Sequence, residues 1–262
     1  MKATYDHIGN GYNNTRKADP YIVERLQYHL NAINEGLYLD IGCGTGNYTA
    51  KLHQKDVQFM GIDPSEKMLK NAKKTHPNIT WKQGMAENIP LENNSVEGVV
   101  GTLTLHHWNS LEKGFSELHR VMKSYANLVF FTSTPIQMQG YWLNHYFPKM
   151  LKDSIQQMPS LAHIKNAMQA AGFKNIYTEK YSIQPNLQDQ FLYVGKENPT
   201  LYLDENIRNG ISSFSLLANQ EEVEKGLQLL EKDINSGEIN TIMQNYKNRT
   251  GDYLFILSQK ES

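Results

Sequence analysis

One stretch, Leu37-Tyr38-Leu39-Asp40-Ile41-Gly42-Cys43-Gly44-Thr45-Gly46, constrains this chain more than any other. Its first half is an apolar run of the length of a buried strand. Its second half sets glycine at three alternate positions, where bare backbone can turn tightly and let a ligand approach. A strand that turns through glycines into a helix opens a parallel α/β unit and places a main-chain socket at the carboxyl edge of the sheet. The spacing is not the G-x-G-x-x-G of dinucleotide enzymes, and it lacks the Gly-Lys-Ser/Thr of a phosphate-binding P-loop. A glycine-rich turn with no ligand is the plainer alternative, although strand-to-helix turns seldom require three glycines.

The surrounding chain keeps the same rhythm. Asp19-Pro20 is a helix start, and Ile22, Leu26, Leu30 and Ile33 then recur at helical spacing, which predicts a helix over 20–34. Val57 to Ile62 reads as a second strand, after which Ser65 caps a helix with Met68, Leu69 and Ala72 inward and Lys70, Lys73 and Lys74 outward. Ile79 to Trp81 is a third strand and Val96 to Leu105 a fourth. A helix opened by Asn109 or Ser110 follows, with Ala126 to Thr132 as the fifth strand. Strands alternating with helices through short links predict a doubly wound, mostly parallel α/β sheet.

Beyond residue 132 the alternation stops. Gln137 to Met158 is rich in aromatic residues and reads as a cap. Ser160 opens a helix that Gly172 ends, and Lys174 to Ile183 is a sixth strand. Two helical stretches occupy 184–252 before a final strand, Tyr253 to Ser258. The expected organisation is a lid segment and helix over 1–34, a core over 35–133, 160–183 and 253–262, and cap insertions at 134–159 and 184–252.

Composition narrows the function classes. With 26 Lys+Arg against 27 Asp+Glu, the 262-residue chain has a formal charge of −1 and presents no field for nucleic acid or acidic lipid. No run approaches the roughly 20 apolar residues of a membrane helix. Met1 to Asp6 lacks the apolar core of a signal peptide, and the single Cys43 makes no internal disulfide, so a cytoplasmic setting is expected. Nine His residues form no ordered cluster with carboxylates at metal-ligand spacing, so no metal is expected.

Asp63 lies 19 residues after Gly44, at the end of the second strand, where a carboxylate can accept both hydroxyls of a ribose held by the glycine loop. In isolation, an Asp before Pro64-Ser65 is a turn residue. Four blocks then occur in order: Leu39 to Gly46; Gly61-Ile62-Asp63-Pro64-Ser65; Gly84-Met85-Ala86-Glu87-Asn88-Ile89-Pro90; and Leu105-His106-His107-Trp108 before Glu117 to Lys123. On these blocks, residues 37–132 resemble the class I S-adenosylmethionine-dependent methyltransferases of the small-molecule type.

The resemblance implies a seven-stranded Rossmann-like sheet with an antiparallel last strand and S-adenosyl-L-methionine as cofactor. Gly42 and Gly44, with Asp40 behind them and Cys43 between, would hold the methionine part. Asp63 would take the ribose, with Pro64 and Met68 beside it. Met85, Ala86 and Glu87 would lie at the adenine, and Thr102 near the sulfonium. Met85 stands where relatives often carry an Asp for the adenine amino group. Ser124-Tyr125-Ala126-Asn127 replaces the usual Pro-Gly-Gly turn.

The lead-in Tyr5 to Arg16 is similar to the segment many such enzymes fold over the cofactor. On a helix Tyr12 and Arg16 would share a face, with Arg16 pairing the cofactor carboxylate; a surface Arg and packing tyrosines are the alternative. Methyl transfer from a sulfonium needs chiefly alignment, exclusion of water and, for some acceptors, a base. His106 and His107, just past strand 4, are the candidate bases, and helix capping and packing are their alternative roles. Some relatives that methylate sugars pair such a His with a carboxylate after strand 5. Here that position reads Thr132-Ser133-Thr134, so no His–Asp base is expected.

Trp108, Tyr141, Trp142 and His145, with Arg208 from the longer insertion, are candidate acceptor contacts, although an aromatic stripe at helical spacing also serves as core. The reading is methyl transfer to an O, N or C atom of a small organic acceptor, with no nucleic acid or membrane as partner. A noncatalytic binder of the same cofactor and a methyltransferase for a macromolecule stay open as alternatives.

Overall fold

The computed structural model describes residues 15–33, 36–54 and 56–262. Helix α1 (Pro20–Leu30) starts where Asp19 accepts hydrogen bonds from the Tyr21 and Ile22 amides, and it buries Ile22, Leu26 and Leu30. It ends short of the predicted 34 because Asn31 turns left-handed, at φ 46°, and its amide closes on Gln27 O. The chain continues as β1 (Gly36–Ile41), α2 (Asn47–Leu52), β2 (Val57–Asp63), α3 (Glu66–Thr75), β3 (Thr80–Gln83), β4 (Val96–Thr102), α4 (Leu111–Val121) and β5 (Met122–Thr132). Next come α5 (Pro135–Gln139), α6 (Leu143–Tyr146), α7 (Pro148–Gln157), α8 (Leu161–Ala170) and β6 (Lys174–Tyr181). The chain then forms α9 (Glu205–Asn209), α10 (Gln220–Ser236), α11 (Ile239–Asn245) and β7 (Tyr253–Gln259).

The seven strands lie in the order β3-β2-β1-β4-β5-β7-β6. The first five are parallel, and β7 runs antiparallel to both β5 and β6. Successive strand residues face opposite sides, so Val99, Phe130 and Ile256 join one core while Val100, Phe131 and Phe255 join the other. The first core is covered by α4 and α8 through Phe115, Leu118, Ile164 and Met168; the second by α1 and by the aromatic residues after β5. Each fully buried Leu, Ile or Phe contributes roughly 1.5–3 kcal/mol, so both layers are needed to hold the sheet.

Several strand limits differ from the sequence reading: β3 is Thr80–Gln83 and β6 ends at Tyr181 and not at Ile183. Strand β4 stops at Thr102 and not at Leu105, because Leu103 takes φ 51° and turns the chain out of the sheet. Strand β5 starts at Met122, directly from α4. Val96 pairs with Met122 and Gly98 with Asn127, so the residues between bulge out, with Tyr125 left-handed at φ 63°. The aromatic segment after β5 forms α5 to α7, and the long insertion contains α9 as well as α10 and α11. No helix among the described residues is long and apolar enough to cross a membrane.

Candidate functional site

The strand order reverses between β1 and β4, and in a doubly wound sheet the crevice for a ligand lies at that reversal, outside the carboxyl ends. The glycine loop leaves β1 there with Gly42, Gly44 and Gly46 at φ of +72°, +55° and +81°, a region that favours glycine. The Gly42 and Cys43 amides donate to Ile62 O at 2.8 and 3.1 Å, pinning the loop to β2. A Cβ on Gly42 would lie 1.9 Å from Thr104 Oγ1, and one on Gly46 would lie 2.2 Å from the Trp81 ring. Those two glycines face protein. A Cβ on Gly44 would meet nothing within 4 Å among the described residues, so Gly44 is open on the side that they form. Its amide donates to Asp63 Oδ2 at 2.9 Å, while Asp63 Oδ1 accepts from the Ser65 amide at 2.8 Å. The carboxylate at the end of β2 thus braces the open glycine.

Asp40 is 1% exposed. Its Oδ2 accepts from Thr49 Oγ1 at 2.6 Å, whereas among the described residues its buried Oδ1 has no hydrogen-bond partner. Burial above all, together with the charge of Asp63, pushes this carboxyl up to about 7. Burial, then Asp40 and Asp63, also push the Cys43 thiol well up, which leaves it un-ionised and unreactive. A buried carboxylate oxygen without a donor, beside a second carboxylate, suits a ligand that brings a cationic donor.

At the end of β4 the left-handed Leu103 donates its amide to Phe131 O at 2.8 Å, and Thr104 opens a turn over Leu105–His107. The His106 and His107 rings lie 3.8 Å apart between centroids. Burial, His107 and the charge of Arg16 pull His106 well below its ordinary value, and among the described residues its buried Nδ1 has no hydrogen-bond partner. His107 retains solvent-accessible surface, yet desolvation by the surrounding protein pulls it down to about 4. Both imidazoles are neutral at neutral pH.

Residues 39–130 match the model of the methyltransferase domain family. A crystal structure assigned to a methyltransferase from an antibiotic biosynthesis pathway of Anabaena variabilis is 34% identical. The likeness covers 93% of this chain and 98% of that one, with a TM-score of 0.83. The chain belongs to the class I S-adenosylmethionine-dependent methyltransferases. Demethylmenaquinone methyltransferase of Chlorobaculum parvum is 27% identical to this methyltransferase over 171 residues, 58% of this chain and 71% of the relative. Phosphoethanolamine N-methyltransferase 2 of Haemonchus contortus, solved with S-adenosyl-L-methionine, shares the fold at 16% identity and a TM-score of 0.59 over 99% of this chain and 56% of that one. The cofactor of the methyltransferase is S-adenosyl-L-methionine, and the open face of Gly44 and the partnerless Asp40 Oδ1 fit it.

Other residues singled out from the sequence are engaged elsewhere. Arg16 was expected to pair the cofactor carboxylate, but its Nε and Nη2 donate to Asp189 at 2.6 and 3.2 Å. Glu87 Oε1 accepts from the Asn109 and Ser110 amides at 2.6 and 3.1 Å, fastening the loop after β3 to the start of α4. Ala86 is core, Met85 is 43% exposed, and Met68 is buried in the first turn of α3. Pro64 is exposed, and its carbonyl accepts from Gln83 Nε2 at 3.0 Å. Thr102 is half-buried as the last residue of β4. Tyr12 lies outside the described residues.

The aromatic group expected to enclose the acceptor is largely the cap's own core. Tyr141 is fully buried, stacks on Tyr193 at 3.9 Å and donates its hydroxyl to Asp252 O at 2.5 Å. Trp142 is 1% exposed, and its Nε1 donates to Lys196 O at 3.1 Å. Trp108 packs on Phe115 and Phe130, with ring centroids at 5.3 and 5.6 Å. His145 is exposed, and Arg208 donates to Tyr202 O at 2.7 Å. Sequence reasoning missed Asp189, which sits between two glutamines and carries no local signal.

Proposed function

We propose that this methyltransferase acts on a small organic molecule, at an oxygen, nitrogen or carbon nucleophile presented to the end of β4. One observation carries the reading: two neutral imidazoles, His106 and His107, lie in contact just past the end of β4, their rings tilted by 48°, and among the described residues the buried His106 Nδ1 has no hydrogen-bond partner. Two relatives, one a demethylmenaquinone methyltransferase and one assigned to an antibiotic pathway, support a small acceptor. The balanced charge of the chain supports it too, since RNA binding relies on excess positive charge.

When bound, S-adenosyl-L-methionine supplies a methyl group on a cationic sulfur that departs as a neutral thioether. Gly42 and Gly44 would hold the methionine part, with Asp40 Oδ1 as acceptor for its ammonium. Asp63 would take the ribose hydroxyls, and Ala86 would border the adenine. Because the leaving group is already activated, the protein's work is to align the acceptor and exclude water. For an acceptor that must lose a proton, the neutral imidazole of His106 or His107 takes it as the new bond to methyl forms.

The reading is tested by incubating the protein with isotope-labelled S-adenosyl-L-methionine and a cell extract split by size. Label on a compound in the low-mass fraction is expected, and label confined to protein or RNA overturns it.

A further inference from the structure

The insertion between β6 and β7 is bound to the cofactor half of the molecule through a cluster of polar contacts centred on a buried carboxylate, Asp189. Asp189 is 1% exposed. It receives Arg16 Nε at 2.6 Å, Arg16 Nη2 at 3.2 Å and the Tyr48 hydroxyl at 3.1 Å. Tyr48 sits in the first turn of α2, the helix that continues the glycine loop, and its oxygen accepts from the Asp19 amide at 3.4 Å. Asn47, the first residue of α2, donates its side-chain amide to Arg16 O at 2.7 Å. Around these bonds the main chains interlock. The Gln188 amide donates to Asp19 Oδ2 at 2.9 Å, and the Gln190 amide donates to Thr15 O at 3.1 Å. Gly210, at the end of α9, lies so close to Thr15 that a Cβ there would come within 1.8 Å of Thr15 Oγ1. Three segments, 15–19, the start of α2 and 188–190, therefore share one polar knot.

A knot of this kind has a directional consequence. The carboxylate is desolvated, so its charge is kept while Arg16 meets it; loss of Arg16 would leave that buried charge uncompensated, and loss of the Tyr48 hydroxyl would remove one of the donors to Oδ2. The glycine loop cannot settle without α2, α2 is held through Tyr48 and Asn47, and both lead to the residues that grip 188–190. We infer that Asp189 is a positioning residue for cofactor binding, which makes filling of the glycine socket and ordering of the 184–210 part of the insertion one coupled event. This rests on the cofactor assignment and not on the identity of the acceptor.

The test uses the full chain with S-adenosylhomocysteine as the probe. Its affinity is read by calorimetry, and backbone hydrogen exchange is followed with and without it. Wild-type protein should bind the probe, with slower exchange at the Gln188 and Gln190 amides on binding. Asp189→Asn keeps the size of the side chain but puts an amide against two donors. It should bind at least tenfold more weakly and lose the ligand-induced protection at 188–190. Tyr48→Phe, which removes one contact and no charge, should bind at least threefold more weakly.

Wild-type affinity and protection in a folded Asp189→Asn protein, even with a lowered unfolding temperature, would overturn the inference. If Asp189→Asn does not fold, Tyr48→Phe decides, and unchanged affinity there overturns it as well. Failure of the wild-type protein to bind would instead count against the cofactor assignment.

Discussion

Gly44 offers the sharpest single perturbation, because its two constraints separate. Its φ of +55° costs any L side chain about 1–2 kcal/mol. The space around it costs nothing in the free protein, since a Cβ there meets no atom of the described residues within 4 Å. The hydrogen bond from its amide to Asp63 Oδ2 survives an added methyl. Gly44→Ala should therefore fold, with an unfolding temperature lowered by roughly 2–8 °C for a chain of this size. If Gly44 lines the socket, as proposed, the methyl would occupy volume that the cofactor needs. Overpacking a filled site costs about 1–3 kcal/mol, so S-adenosylhomocysteine should bind some tenfold to a hundredfold more weakly. Gly42→Ala is the contrast: its Cβ would lie 1.9 Å from Thr104 Oγ1, so it should fail in folding before binding can be asked about. Differential scanning calorimetry and titration calorimetry on the two variants give both numbers. A folded Gly44→Ala protein with wild-type affinity would refute the claim that this glycine lines the socket.

Three further outcomes are expected. Asp40 titrates near 7 when folded and near 3.8 when unfolded, so folding favours its protonated form. The stability it confers is complete below about pH 4 and is lost as pH rises through 7, by on the order of 4 kcal/mol. Thermal unfolding of the cofactor-free protein should show that loss between about pH 4 and 7 and Asp40→Asn should not; identical profiles would remove the assignment. Asp63→Asn puts an amide NH2 against the Gly44 or Ser65 amide and should weaken S-adenosylhomocysteine binding by about 1–3 kcal/mol, read by titration calorimetry. If His107 is the proton acceptor, its folded value near 4 keeps it competent through neutrality, so kcat/KM should fall only as pH drops toward 4. His107→Ala should then slow turnover about a hundredfold or more with cofactor affinity intact, and an acid limb at 6.5 or an unchanged rate would sink that role.

The sheet was legible because its signals are local. Ser65, Ser110 and Ser160 cap the helices they precede, each accepting an amide from the first turn, and the apolar runs became β1, β2, β4, β5 and β7. Boundaries failed where non-glycine residues turn left-handed: at Leu103 and Tyr125 surrounding packing imposes an angle that neither residue type announces, whereas Asn31 is a residue type that favours this turn, and the apolar spacing through Ile33 masked that signal. The glycine loop and Asp63 were legible as a pair because their spacing reflects one strand, one helix and a second strand. The aromatic cluster was not, since Tyr141 and Trp142 serve equally as wall or as filling in composition, and only burial tells them apart. Asp189 and Arg16, 173 residues apart, meet only through the tertiary fold.

The long insertion leaves the sheet after Tyr181 and re-enters at Tyr253, and these two residues stand side by side as partners in adjacent strands. Ends that already touch make the excursion a cassette, exchangeable between related scaffolds without stretching the strands that receive it. The junction does not set the terms of such an exchange. A transplanted cassette would carry no counterion for Arg16 unless it brought a carboxylate to the place of Asp189, so any exchange would have to rebuild that ion pair along with the insertion.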